Sequence, residues 1–197
     1  MRHAKQTTMK IIKIITPLLL LTISCLGQKA ISTIESNNYD KKTDLTTFTK
    51  FPFGSISIPG KWKKISYNQV SRQHNFTNVD SIFTAIAINQ ASSYPFYKPN
   101  MTPNQTVEEL YEWDSKYLAD NIKGTRTIIK QDTVNHFILW QIEADNQKYK
   151  LDNHYLFGSE NGVVFSVFID TKKWTNDKKV EFLQTVYKTK TVGSCCK

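Results

Sequence analysis

Two segments limit the folds open to this chain more than any other feature. In "SIFTAIAIN", residues 81–89, Ile82, Ile86 and Ile88 fall on one face of a strand, and Phe83, Ala85 and Ala87 fall on the other. "GVVFSVFID", residues 162–170, sets Val163, Phe165, Val167 and Ile169 opposite Val164 and Phe168. Successive side chains of a strand point to opposite faces. A strand apolar on both faces must therefore be covered on both, so the sheet holding these segments needs a layer above and a layer below.

Two amphipathic segments can supply those layers. "TVEELYEWDSKYLADNIKG" opens with a capping-box pattern, Thr106 with Glu109, and ends at Gly124. Val107, Leu110, Tyr111, Tyr117, Leu118 and Ile122 recur at helical spacing, with Asp114 the one polar residue in the stripe. A second helix is expected from Asn176 to Val192, capped by Thr175 or Asn176, with Val180, Leu183, Val186 and Tyr187 turned inward. Between them "TRTIIKQ", "HFILWQIEA" and "KYKLDNHYLF" read as strands, with hairpin turns at Asp145-Asn146 and Glu160-Asn161-Gly162. The order is strands, helix, strands, helix, without regular βαβ alternation. The expected class is α+β: an α/β/α sandwich, one mainly antiparallel sheet flanked by two helices.

The domain opens with "FGSISIPGKWKKIS", residues 53–66. Ile56 and Ile58 alternate in a strand, Pro59 ends its ladder for want of an N–H, Gly60 permits a reversal, and Trp62 follows. "KKISYNQV" and "RQHNFT" continue as strands, with Ile65 and Tyr67 expected to be half-buried. A strand ending in proline, then a turn and a tryptophan, resembles the start of the PsbP/DcrB-like family, and the likeness extends over residues 50–192. It implies the sandwich and a role in binding other proteins. It carries no catalytic residue across.

The ends concern export. Arg2, Lys5, Lys10 and Lys13 precede the apolar run Ile14 to Ile23, which is shorter than the ~20 residues of a membrane span and suits a signal peptide. A start at Met9 gives a still more compact signal. Two endings fit. Cleavage after Gly27 leaves small residues at the required positions, and "LTISC" alternatively reads as a lipobox with Cys25 acylated. Either implies an exported chain, periplasmic or held at a bacterial envelope. The expected organisation is a signal at 1–27, a polar linker at 28–49, the domain at 50–192 and a cysteine-bearing tail at 193–197.

Without the signal the net charge falls from +9 to +5, and the excess lies in the last 27 residues, where seven lysines face Asp177 and Glu181. That is the solvated side of a terminal helix, not the aromatic-laced basic face of a nucleic-acid protein. Cys195 and Cys196 are adjacent and do not suit a mutual disulfide. The seven glycines never cluster into a phosphate cradle, and no metal or cofactor is expected. A hydrolase would need a placed nucleophile with a histidine and an acid. Asp152 and His154, on one face of one strand, are the best local pair, with no third ligand for a metal.

The segment that suggests recognition is "SSYPFYKPNMTPNQ", residues 92–105, stiffened by Pro95, Pro99 and Pro103 and carrying Tyr94, Phe96, Tyr97 and Met101. Exposed aromatics on a stiff loop suit a protein interface; the alternative is that they fold back over the end of the core. Trp113, off the main stripe of its helix, poses the same question. The leading expectation is a non-enzymatic envelope protein that binds another protein or a polymer, in assembly or maintenance, touching a membrane only through a lipid on Cys25. The second is a binder of small apolar ligands between sheet and helix, which calls for a cavity of a few hundred Å³. A hydrolase is the weakest reading.

Overall fold

A computed structural model describes residues 32–193. The chain begins with a run of hairpins: β1 (Ile34–Asp40), β2 (Leu45–Phe51) and β3 (Gly54–Pro59). It then forms β4 (Trp62–Asn68), β5 (Gln73–Asn78), β6 (Phe83–Gln90) and helix α1 (Pro103–Ile122). Four long strands follow, β7 (Thr125–Asp132), β8 (Phe137–Asp145), β9 (Lys150–Glu160) and β10 (Val163–Asp170), and then α2 (Asn176–Lys188) and the short β11 (Thr191–Val192). The class is α+β, but the strands divide into two antiparallel sheets rather than the expected one. One has four strands in the order β1-β2-β3-β11, the other seven in the order β4-β5-β6-β10-β9-β8-β7.

The two segments apolar on both faces are β6 and β10, side by side at the middle of the large sheet, in register from Val163 opposite Gln90 to Asp170 opposite Phe83. Both of their faces are covered. On one, Phe182, Leu183, Val186 and Tyr187 of α2 join Leu156, Phe165 and Val167, while Phe48, Ile56 and Ile58 of the small sheet pack with Phe76, Ile86 and Ile88. Helix and small sheet thus share a layer that the sequence reading gave to the helix alone. On the other face Val107, Leu110 and Tyr111 of α1 meet Ile138, Trp140, Tyr155 and Phe157.

The expectation of a polar linker at 28–49 is corrected. Residues 34–40 and 45–49 lie in paired strands, and the domain begins well before Lys50. The strand β2 does alternate, burying Thr46, Phe48 and Lys50, whereas β1 is exposed along nearly its whole length. An edge strand in water needs only its backbone hydrogen bonds and carries no apolar period, so its sequence resembles a linker. Glu35 still ties it down. One carboxylate oxygen accepts from Lys64 Nζ (3.1 Å) and the other lies 3.1 Å from Nε2 of buried His74.

The break at Pro59-Gly60 is where the chain leaves the small sheet for the large one. Gly60 takes φ 87°, a left-handed conformation that glycine accepts without cost. Trp62 is buried at the corner, its Nε1 donating to Pro59 O (2.7 Å) and its ring 5.7 Å from that of Phe182. Thr46 Oγ1 accepts from Trp62 N (2.9 Å) and donates to Gly60 O (2.7 Å), satisfying the backbone that the turn strips from both ladders. Beyond it β4 is an outer strand, and Ile65 and Tyr67 are exposed rather than half-buried.

Helix α1 starts, and α2 stops, at a different residue from the one its spacing suggested. The capping box of α1 uses Thr102, not Thr106: Gln105 N donates to Thr102 Oγ1 (3.2 Å) and Thr102 N to Gln105 Oε1 (2.9 Å). Pro103 occupies the first turn, where its missing N–H costs nothing. The other helix begins after Thr175 as expected but ends at Lys188, because Thr189 Oγ1 accepts from Ser57 N (2.8 Å) and the chain turns into β11.

One contact joins α2 closely to the large sheet. Tyr187 packs directly on Gly158, its hydroxyl donating to Asn135 O (3.0 Å), and a Cβ at 158 would collide with two ring carbons and the hydroxyl oxygen of Tyr187. Gly158→Ala is expected to lower stability by about 1–3 kcal/mol through overpacking, measured by urea unfolding; an unchanged midpoint would contradict this packing.

Candidate functional site

The two faces of the large sheet are not filled equally. Helix α1 packs chiefly on β9, β8 and β7. On the face it occupies, β10 carries the small side chain of Ser166, directly opposite Ala87 of β6. A helix set to one side of so small a residue leaves room. The result is a cavity of about 440 Å³ between the second half of α1, the floor at Ser166, and the turn that leads into β5.

Its walls are aromatic. Trp113 and Tyr117 come from α1, Tyr155 and Phe157 from β9, and Tyr94 from the connection after β6. Tyr155 belongs to a row of rings in register across the sheet, stacked on Trp140 at 4.4 Å and on Phe168 at 4.7 Å. The Tyr94 ring lies 5.4 Å from Phe96 and 6.0 Å from Trp113, and its hydroxyl accepts from Asn89 Nδ2 (3.0 Å). Asn89 Oδ1 in turn accepts from the buried Lys50 Nζ (2.8 Å), so that wall is braced from the small sheet. Burial pushes the Tyr94 phenol up to about 12 and raises that of Tyr155, so both rings are neutral at ordinary pH.

Two charged side chains line the cavity. Arg72, at the turn before β5, donates from Nη1 to Ser93 O (3.1 Å) and Ser93 Oγ (2.8 Å), and its guanidinium lies 5.7 Å from the centre of the Tyr94 ring. Asp114 sits half-buried on α1 facing the same space. Among the described residues nothing donates to its carboxylate, and burial alone lifts its pKa to about 6. A carboxylate placed against apolar walls without a partner costs stability.

Of the two placements expected for the residues of 94–101, the structure shows the folded-back one. Tyr94, Phe96 and Tyr97 fold back and pack, half-buried, on the α1 side of the core. Met101 is also half-buried, its Sδ accepting from Lys98 N (3.1 Å). The loop builds a wall rather than offering an exposed patch. Trp113, 44% exposed, is the rim of the same cavity. Arg72, Tyr155 and Ser166 were not singled out from sequence, and Asp114 was noted only as an interruption. The usable signal was Asp114 itself, a carboxylate in an otherwise apolar helical stripe.

Asp152 and His154 do share a face, with Nδ1 of His154 3.4 Å from a carboxylate oxygen of Asp152. Their surroundings suit anchoring rather than chemistry. Lys179 of α2, 3% exposed, donates to Asp152 Oδ2 (3.0 Å) and to its carbonyl oxygen (3.1 Å), and Gln141 Nε2 donates to Oδ1 (2.7 Å). Burial works to raise the Asp152 pKa, but those hydrogen bonds and the charges of Lys179 and His154 outweigh it and hold it low. Burial also lowers the pKa of His154, against the pull of Asp152, and the ring is wholly enclosed. An open polar depression of about 640 Å³ lies beside Asp152 and Lys179 and is not lined by the histidine. Among the described residues no cluster of three or more metal-ligating side chains occurs, and no helix is long and apolar enough to cross a membrane. Cys25, Cys195 and Cys196 lie outside the described residues.

No protein-family model matches the chain, and no curated protein matches it. Among solved structures it is similar to cyanobacterial PsbP (CyanoP) from Synechocystis sp. PCC 6803, with 13% identity over 86% of this chain and 98% of that one and a TM-score of 0.48.

The Asp114 carboxylate gives a stability test. Its folded-state pKa is above that of an unfolded aspartate, so its cost is present above about pH 6 and fades as protonation sets in below it. Asp114→Asn is expected to raise the melting temperature at pH 7.5, with the gain shrinking toward pH 4. An equal or opposite shift at both pH values would mean that the carboxylate is solvated or paired.

Proposed function

We propose that this chain is an exported, non-enzymatic binding protein of PsbP/DcrB-like architecture, and that it holds a small molecule with an apolar body between α1 and the large sheet. One observation carries the reading: an aromatic-walled cavity of about 440 Å³, lined by a carboxylate with no partner. Ligand sites are concave, mainly apolar and marked by a few placed polar groups, and volumes of 300–1,000 Å³ are typical. The signal-like start of the sequence supports export. The packed Tyr94, Phe96 and Tyr97 favour this reading over a protein-binding loop, because half-buried rings present less area to a partner.

The floor supplies the test. Ser166 is nearly enclosed, and its Oγ accepts only a long hydrogen bond from Gln73 Nε2 (3.4 Å). Ser166→Phe should fill the cavity from below while keeping the melting temperature at or near its original value. The neutral probe 2-(1-naphthyl)ethanol is expected to quench or shift Trp113 fluorescence in the unaltered protein, and Ser166→Phe is expected to abolish saturable binding. Equal binding by the two proteins would contradict the proposal, and so would no binding by either.

A further inference from the structure

The cavity's polar groups narrow the class of ligand. Tyr94, Trp113 and Tyr155 line a space that also holds Asp114. A carboxylate set against such apolar walls, away from the screening of water, is left in want of a cation. The protein supplies none: no hydrogen bond reaches Asp114 among the described residues, and no neighbouring charge contributes to its shift. Its field is felt by the rings, for it acts with burial to raise the phenols of Tyr94 and Tyr155. The one cation in the lining, Arg72, is held to Ser93 across the Tyr94 ring.

We propose that the cavity selects an amphipathic organic monocation, with its apolar body against Tyr94, Trp113 and Tyr155 and its ammonium on the Asp114 carboxylate; this rests on the cavity being a ligand site. A single positive group is specified because Arg72 repels a second one. Ser166 in the floor is too small to reach upward, so the apolar part of the ligand occupies the space above it. Organic anions are disfavoured by Asp114. Neutral molecules of the same shape enter but gain nothing from it.

Binding should then depend on pH. The titratable or charged groups around the space are Arg72 from the turn before β5, Tyr94 from the connection, Asp114 and Tyr117 from α1, and Tyr155 from β9; β10 offers only the neutral Ser166. Phenols and guanidinium groups do not titrate between pH 5 and 8, so Asp114 alone changes charge there.

A matched pair of probes separates this inference from the reading beneath it. The cation is 2-(1-naphthyl)ethylamine and its neutral counterpart is 2-(1-naphthyl)ethanol, both followed by Trp113 fluorescence and by calorimetry on the folded chain. The amine is expected to bind at least tenfold more tightly than the alcohol at pH 7.5. Its affinity should fall about tenfold between pH 7.5 and pH 5 while that of the alcohol stays level. Asp114→Asn should remove both the preference and the pH dependence. Equal affinity for amine and alcohol, or an amine preference that survives Asp114→Asn, would overturn the assignment while leaving the cavity a ligand site. Failure of both probes to bind would overturn the reading beneath it as well. The pH series on the unaltered protein decides the matter even without the variant.

Discussion

Everything in this molecule follows from the pairing of β6 with β10. Their backbones complete each other's hydrogen bonds at the middle of the large sheet, and both faces of the pair are apolar. Burying such a pair at ~25 cal/mol per Å² is a leading source of stability, but it requires cover twice over. Among the described residues two helices serve the purpose. One face is closed by α2 with help from the small sheet, whose Phe48, Ile56 and Ile58 complete that layer. The other is covered by α1 and a folded-back loop. That difference in cover produces the cavity, with the small Ser166 of β10 in its floor.

The buried polar groups are best understood through the same layering. Lys179 is enclosed on α2 and spends its charge on Asp152 of β9, tying the helix to the sheet. Glu35 of β1 reaches Lys64 and His74 in the large sheet, tying the small sheet's outer strand across the layer. Burial lowers the His74 pKa to about 4, against the pull of Glu35 and with help from Lys64 and Lys50, so the imidazole is neutral near pH 7. Removing Asp152 would strand the enclosed Lys179 charge in the interior, so that pair holds helix and sheet together. Among the described residues Asp114 has no counterpart of this kind, and it faces the cavity.

Much of the architecture was legible in the residues, and the failures have physical causes. Apolar residues on both faces of 81–89 and 162–170 announced a covered central sheet, and Asn161-Gly162 announced a hairpin whose two residues take φ 48° and 74°. The strand β1 was illegible because an edge in water imposes no pattern on its side chains. The second sheet was illegible because only the corner at Gly60 and Trp62 separates β3 from β4, and a corner looks like a turn. Of the site, the aromatics of 94–97 were legible as unusual, but whether they faced water or core depended on how far α1 extends over the sheet. That is set by packing along the whole helix. Asp114 was visible as a polar break in an apolar stripe; its lack of a partner is a fact of three-dimensional arrangement alone.

The most direct test is a crystal structure of the chain grown with 2-(1-naphthyl)ethylamine. The account expects the naphthyl ring between Tyr94 and Trp113 above Ser166, with the ammonium within about 3 Å of an Asp114 oxygen, a charge-assisted hydrogen-bond distance. A cavity closed by movement of α1 onto β6, or the amine seated elsewhere with Asp114 in water, would contradict it.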